Sequence, residues 1–298
     1  MRDLEVMLEV LSERACAKIN LFLRVTGRRA DGYHELDSVF LPISLADEIR
    51  LEIRDAAATS IALNCNVPAL AASGIDLATR AARGFVEEFG LKAQVRIDLA
   101  KHIPIGAGLG GGSSDAGAVL RMMARAAGIG VDAAPRLHRI ALALGADVPF
   151  FLDPRPSRVT GIGQVLTPLD DVPTLPIVFA VPPFEVATAS IFRSLQPSGW
   201  SGPAPDADIA AILRNEISPS ITVNDLAAVA IAQFPEIGRI KALLEELGAR
   251  ASQMSGSGGA VFGIFDDQES ADRAAEQARK RMPAATVGSG RTVDAGWQ

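Results

Sequence analysis

Between Gly106 and Gly117 the chain reads Gly-Ala-Gly-Leu-Gly-Gly-Gly-Ser-Ser-Asp-Ala-Gly, with Pro104 just ahead of it. Five glycines within seven residues give a backbone that can come close to a ligand without a Cβ in the way. Their free φ lets successive N–H groups point into one concavity. The apolar run after them predicts a helix starting at Ser113 or Ser114, whose unpaired first-turn N–H groups and partial positive charge would face the same point. This chemistry suits a polyanion, and a nucleotide polyphosphate above all.

Two better-known phosphate loops fit less well. Gly106, Gly108 and Gly111 satisfy G-x-G-x-x-G, but a dinucleotide site needs a second strand carrying an acid for the ribose. Here the strand-like Val95–Leu99 precedes the loop, and two helical runs follow it, Asp115–Ala127 and Asp132–Leu144. A P-loop needs Gly-Lys-Ser/Thr, and no lysine occurs between Lys101 and Lys241. A phosphate-binding lysine must come from elsewhere. A flexible linker is disfavoured because strand and helix patterns flank the glycines closely.

The elements that must hold this loop read as β-rich first and mixed later. Ala15–Val25 and Leu36–Leu45 have strand character across the turn Ala30-Asp31-Gly32. Glu48–Arg54 alternates as a half-buried strand, and Thr59–Leu63 could pair with it. Asp76–Phe89 shifts to helical spacing and stops at Gly90. After about Arg158 the order is strand (Pro176–Val181), two helical runs (224–248), strand (260–265), helix (Asp267–Arg281) and strand (Thr286–Val293), with a second glycine turn, Ser255–Gly259, before the third of these. Strand, helix, strand, strand, helix, strand is the ferredoxin-like order, and the second domain reads as α+β. Gln196–Pro205, rich in Pro, Gly and Ser, reads as an exposed loop.

Bulk properties restrict the partners. The chain has 298 residues, 48% of them hydrophobic, and a net charge of −6, which suits about two domains. No basic block stands out, so no nucleic-acid partner is expected. No apolar stretch reaches the ~18 residues of a membrane span, and Met1–Arg14 is too interrupted by charge for a secretory leader. The expected location is cytoplasmic. The two cysteines and three histidines lack metal-ligand spacing. Sequence leaves the oligomeric state open.

Three segments then act together: Ala17-Lys18-Ile19-Asn20-Leu21 running on to Asp31-Gly32-Tyr33-His34, the glycine loop from Pro104 to Asp115, and Ser255–Gly259. In order and spacing they resemble the GHMP small-molecule kinases over nearly the whole chain. The resemblance implies an α+β protein with a ribosomal-S5-domain-2-like N-terminal domain (1–158) that binds ATP and a ferredoxin-like C-terminal substrate domain (159–298). It implies transfer of the ATP γ-phosphate, with Mg2+, to a hydroxyl of a small cytidine-diphosphate-linked polyol.

Roles follow residue by residue. Lys18 is implied as the catalytic lysine, whose ammonium favours the alkoxide and neutralises charge on the moving phosphoryl; alone it would read as a strand-edge lysine. Asp147 is implied as the general base; alone it is a turn aspartate. Gly106, Gly108, Gly110, Gly111, Gly112, Ser113 and Ser114, entered from Pro104, should hold the phosphates, and a serine hydroxyl could touch the metal, for which no protein carboxylate is named. Asp115 reads better as a first-turn acid of the helix than as a ligand. Tyr33 is implied as a platform for the cytosine, His34 as its hydrogen-bonding partner and Phe192 as the opposite wall. Asn20 shares a strand face with Lys18. Two positions depart from the family pattern: Asp76, where asparagine is expected and a helix N-cap role would fit, and Gln164, where glutamate is common. Rival readings are a kinase for mevalonate-type or sugar alcohols, which carry no base for Tyr33 to stack on, and a nucleotide-binding protein without catalysis.

Overall fold

The computed structural model describes residues 9–73 and 76–294. Of the N-terminal stretch read above, residues 1–8 lie outside the described residues. Two sheets organise the chain. The first contains β1 (Glu9–Arg28), β2 (His34–Asp55), β3 (Ser60–Cys65), β4 (Ala93–Ala100), β5 (Ser157–Gly161) and β6 (Val165–Pro168), with α1 (Pro68–Ser73), α2 (Leu77–Phe89), α3 (Gly111–Ala126) and α4 (Ala134–Leu144) between them. The second contains β7 (Pro176–Val181), β8 (Ala251–Met254), β9 (Val261–Ile264) and β10 (Thr286–Arg291), with α5 (Thr188–Ser194), α6 (Asp206–Leu213), α7 (Ala227–Gln233), α8 (Pro235–Glu246) and α9 (Gln268–Arg281).

β2 is the spine of the first sheet. It pairs with β1 along one edge, and on the other edge with β4 through its C-terminal half and β5 through its N-terminal half. The segments expected as two strands, 36–45 and 48–54, are one continuous strand, because both halves have partners to satisfy their backbone groups. The expected pairing of 59–63 with 48–54 is overturned: β3 runs parallel to β4, since β2 already holds β1 and β4 at that level. β5 and β6 extend the first sheet to Pro168, past the expected division at residue 158.

The second sheet has the order β10-β7-β9-β8, antiparallel throughout. This is the ferredoxin-like arrangement. α5, α7, α8 and α9 cover one face in a core that includes Ile237, Ile240, Leu244 and Ala275, while α6 adds Ile212 to the cluster on the other face. Its other face packs directly on β1 and β2: Ala17, Ile19, Leu21, Leu41 and Ile43 meet Ile177, Phe179, Phe262 and Ile264 in one buried cluster. The strand that carries Lys18 is therefore clamped by both domains. Among the described residues no helix is long and apolar enough to cross a membrane.

Candidate active site

Lys18 and Asn20 leave β1 on the same face between two register shifts of the β1–β2 pairing, one at Cys16/Ala17 and one at Asn20/Phe22. Such bulges turn side chains locally out of the regular pleat. The Lys18 ammonium donates to Asn20 Oδ1 at 2.6 Å, lies 3.6 Å from Asp147 Oδ2, and sits 4.7 Å above the centre of the Phe40 ring. Asn20 is fixed in turn by donating to Ser38 Oγ. Lys18 is 3% exposed and Asp147 34%. Burial pushes the Lys18 pKa below the usual lysine value, and the nearby Asp147 charge only partly opposes this. Asp147 precedes the 3-10 turn Val148–Leu152, whose Phe150 and Phe151 are fully buried beneath the site.

The glycine loop is held in a form its sequence alone makes possible. Gly106, Gly108 and Gly110 have φ of 69°, 79° and 74°, so every second residue is left-handed, the kind of alternation from which anion-binding backbone concavities are built. A Cβ on Gly108 would lie 2.4 Å from the Ser255 carbonyl oxygen, and one on Gly110 would lie 2.8 Å from the Phe151 ring and 3.1 Å from Lys18 Cγ. Glycine is thus required both for the turn and for close approach. The loop is stitched to its surroundings by Lys18 N donating to the Leu109 carbonyl, Ala260 N to that of Ala107, and Ser255 Oγ to that of Gly108. The second glycine turn therefore buttresses the first. Asn224 Nδ2 holds that turn through the carbonyls of Met254 and Gly256.

α3 begins at Gly111, earlier than the serines expected to open it, with Gly110 as its cap. The N–H groups of Gly111, Gly112 and Ser113 thus belong to the first turn and have no carbonyl within the helix. Ser114 is a correction. Its hydroxyl donates to the Cys16 carbonyl and its N–H to the Gly110 carbonyl, so it ties α3 to β1 and faces away from the phosphate path. Asp115 is another. It lies beyond the first turn, buried, accepting from Lys101 Nζ at 2.7 Å, with Asp47 on the other side of the same ammonium. Burial, opposed by Lys101 and reinforced by Asp47, pushes Asp115 up to about 8. Two carboxylates around one buried ammonium are least costly when one of them keeps a proton.

Two clefts meet at this loop. One, of about 250 Å³, is lined by Lys101, Pro104, Gly106, Gly108, Gly110–Ser113, Asp76 and Leu77. The other, of about 660 Å³, is lined by Lys18, Asn20, Tyr33, His34, Asp147, Phe192 and Arg193 among others, and it shares Gly108 and Gly110 with the first. Lys18 and Asp147 line the larger cleft, and Lys18 lies against the shared Gly110.

The wall of the larger cleft differs from the sequence reading in detail. Phe192 packs on His34, ring centres 5.2 Å apart, while Tyr33 stands at the rim, 61% exposed. Burial, and after it the charge of Arg28, lowers the His34 pKa, so its imidazole is neutral at pH 7 and has one donor and one acceptor. Trp200, missed by the sequence reading, meets His34 edge-on with centres 6.0 Å apart. It stands in the segment expected to be an exposed loop. Most of that segment is exposed, as expected, but it is also pinned down: Ala204 N donates to Asp37, and Ser201 N donates to Asp225. A lone tryptophan amid Pro, Gly and Ser was the available signal. Asp76 caps α2 by accepting from Thr79 N at 2.7 Å, as its N-cap reading expects. Gln164 accepts from Ile162 N and closes the turn beside Asp147.

Among the described residues no group of three His, Cys, Asp or Glu side chains is placed to hold a metal ion. The donors that fit a nucleotide are backbone amides, with the left-handed glycine cradle a Cβ would fill.

Comparison with known proteins shows the family. The family model described as GHMP kinases N terminal domain matches residues 76–153, and that described as GHMP kinases C terminal matches residues 207–284. The chain is 38% identical over 270 residues to a 4-diphosphocytidyl-2-C-methyl-D-erythritol kinase of Geobacter metallireducens, covering 89% of this chain and 93% of that protein. It is 40% identical over 292 residues to a protein of the same name from Nitrobacter winogradskyi, covering 94% of each. The crystal structure of a 4-(cytidine 5'-diphospho)-2C-methyl-D-erythritol kinase aligns with a TM-score of 0.81 at 37% identity, covering 94% of this chain and 98% of that one. The chain therefore belongs to the GHMP kinases, among the 4-diphosphocytidyl-2-C-methyl-D-erythritol kinases of that family, and is an ATP-dependent small-molecule kinase.

Proposed function

We propose that this kinase transfers the γ-phosphoryl group of ATP to the 2-hydroxyl of 4-diphosphocytidyl-2-C-methyl-D-erythritol, a step of the non-mevalonate route to isoprenoid precursors. The observation that carries the residue assignment is the Lys18–Asp147 pair, 3.6 Å apart in the larger cleft, which meets the smaller one at Gly108 and Gly110. The smaller cleft takes ATP, its phosphates lying on the amides of Gly106–Ser113. The larger cleft takes the acceptor, its cytosine between Tyr33 and the Phe192–His34 wall, with His34 reading the base edge.

Asp147 accepts the proton of the 2-hydroxyl as the oxygen attacks the γ-phosphorus. The bond from that phosphorus to the β–γ bridging oxygen breaks, and ADP leaves. Lys18, fixed by Asn20, stabilises the oxygen that becomes negative and the charge on the transferring group. Mg2+ bound to the triphosphate would supply charge neutralisation there. The Ser113 hydroxyl, in the first turn of α3 and in the lining of the smaller cleft, would be its side-chain ligand.

The test is a panel of acceptors with ATP: the cytidylyl methylerythritol, its analogue lacking the base, mevalonate, homoserine and galactose. The proposal expects ADP release with the first alone at micromolar acceptor. Equal rates with the base-free analogue would remove the cytosine site, and preference for mevalonate or homoserine would replace the substrate.

A further inference from the structure

The loop's neighbourhood contains one lysine that sequence order places next to the phosphates, and the structure gives it a different task. Lys101 follows β4 directly and enters the glycine loop. Its side chain is only 4% exposed and lies beneath α3, where a Cβ on Gly111 would come within 3.2 Å of the ammonium. That ammonium is held by Asp47 on one side and by Asp115 Oδ2 at 2.7 Å on the other. The other oxygen of Asp47 accepts from His102 N at 2.6 Å and Ile103 N at 2.8 Å. Asn66 fixes the Lys101 backbone, accepting from its N–H and donating to its carbonyl. One cluster thus joins β2, the segment after β3, the loop entrance and α3.

We propose that Lys101, gripped by Asp47 and Asp115, is a positioning residue that presets the glycine loop for triphosphate instead of contacting phosphate itself. The inference rests on the reading of this loop as the ATP site. Its physical basis is the cost of breaking a buried ion pair: removing the ammonium leaves Asp47 and Asp115 without the cation between them under the head of α3, where the loop must receive an anion. Replacing Asp115 by asparagine has less effect, because an amide oxygen still accepts from Lys101 and Asp47 still balances the ammonium.

The experiment measures ATP affinity by calorimetric titration and steady-state kinetics for the full chain, Lys101→Met, Asp115→Asn and the pair Lys101→Met/Asp47→Asn. Lys101→Met is expected to weaken ATP about tenfold or more, with kcat at saturating ATP and KM for the acceptor within about threefold. Asp115→Asn should stay within about threefold throughout. The double variant should bind ATP no worse than Lys101→Met, since the two residues serve one brace. An unchanged ATP affinity in Lys101→Met overturns the proposal. So does a loss confined to kcat at saturation, which would mean contact with the transferring group. If Lys101→Met does not fold, Asp115→Ala takes its place, and an ATP affinity within twofold of the parent then overturns it. Failure of the parent chain itself to bind ATP would instead refute the underlying nucleotide-site reading.

Discussion

The two clefts are built from different materials. The nucleotide cleft is mainly backbone: one contiguous run of glycines, made concave by alternate left-handed residues and buttressed by a second glycine turn. The acceptor cleft is mainly side chains, brought together from β1, the β1–β2 turn, the start of β2, the segment before the 3-10 turn and α5. A backbone site accepts any anion of the right shape, whereas a side-chain site chooses a particular acceptor. On the proposed reading the kinase separates a generic donor site from a specific acceptor site, with Lys18 and Asp147 in the latter beside the glycines both share.

Removing chemistry at the junction should have the largest effect. Asp147→Asn is expected to lower kcat by about 10²–10⁴, as loss of a general base does, while ATP affinity by titration stays near the parent's. Unchanged turnover in an ADP-release assay would remove Asp147 from the role of base.

Breaking the backbone site comes next. Gly108→Ala places a methyl 2.4 Å from the Ser255 carbonyl in a left-handed residue. It should cost about 1–3 kcal/mol, seen as a lower melting midpoint, and raise the KM for ATP more than that for the acceptor. An alanine variant with normal ATP affinity would mean the cradle is not what holds the nucleotide.

The acceptor site should respond in the opposite sense. Tyr33 is at the rim, so Tyr33→Ala should leave stability nearly unchanged. Loss of a stacked base should raise the KM for the cytidylyl substrate by about tenfold, from stacking worth ~1–3 kcal/mol per base. The same loss with a base-free acceptor would end the stacking assignment.

The smallest effect is on pH. Because burial holds Lys18 below the usual 10.5 of lysine, its proton is lost, as pH rises, before that of an ordinary lysine. The alkaline fall of kcat should therefore lie below that value, and the residual activity of Asp147→Asn should fall at a lower pH still, since the opposing charge is gone. The stability term has the matching sign. The unfolded chain holds this proton more tightly, so Lys18 contributes stability that rises with pH between its lowered value and 10.5. A kcat flat to the ordinary lysine range would show that the charge of Lys18 is not needed.

Legibility in the sequence follows the same division. The glycine loop could be found because its chemistry is contiguous, and the order of the second domain because hydrophobic periods of 2 and 3.6 alternate there. The parallel pairing of β3 with β4 and the addition of β5 and β6 to the first sheet are non-local, and no local pattern specifies which edge a short strand joins. Ser114 and Asp115 have residue types suited to phosphate, metal or helix cap. Only the positions of Cys16, Lys101 and Asp47 decide what they do. Trp200 went unnoticed for the same reason: its partner His34 is far away in sequence, and the buried aspartates that pin its segment belong to other strands and turns.

The most direct measurement is the distance from the acceptor 2-hydroxyl oxygen to Asp147 in a crystal of the enzyme with a non-hydrolysable ATP analogue and the cytidylyl substrate. Convergence of the two clefts on one oxygen predicts about 2.6–3.2 Å to the carboxylate, with the γ-phosphorus about 3–3.5 Å from that oxygen and Lys18 Nζ beside both. A hydroxyl held well outside hydrogen-bonding reach of Asp147, or a γ-phosphate on the far side of Gly108 from Lys18, would contradict it.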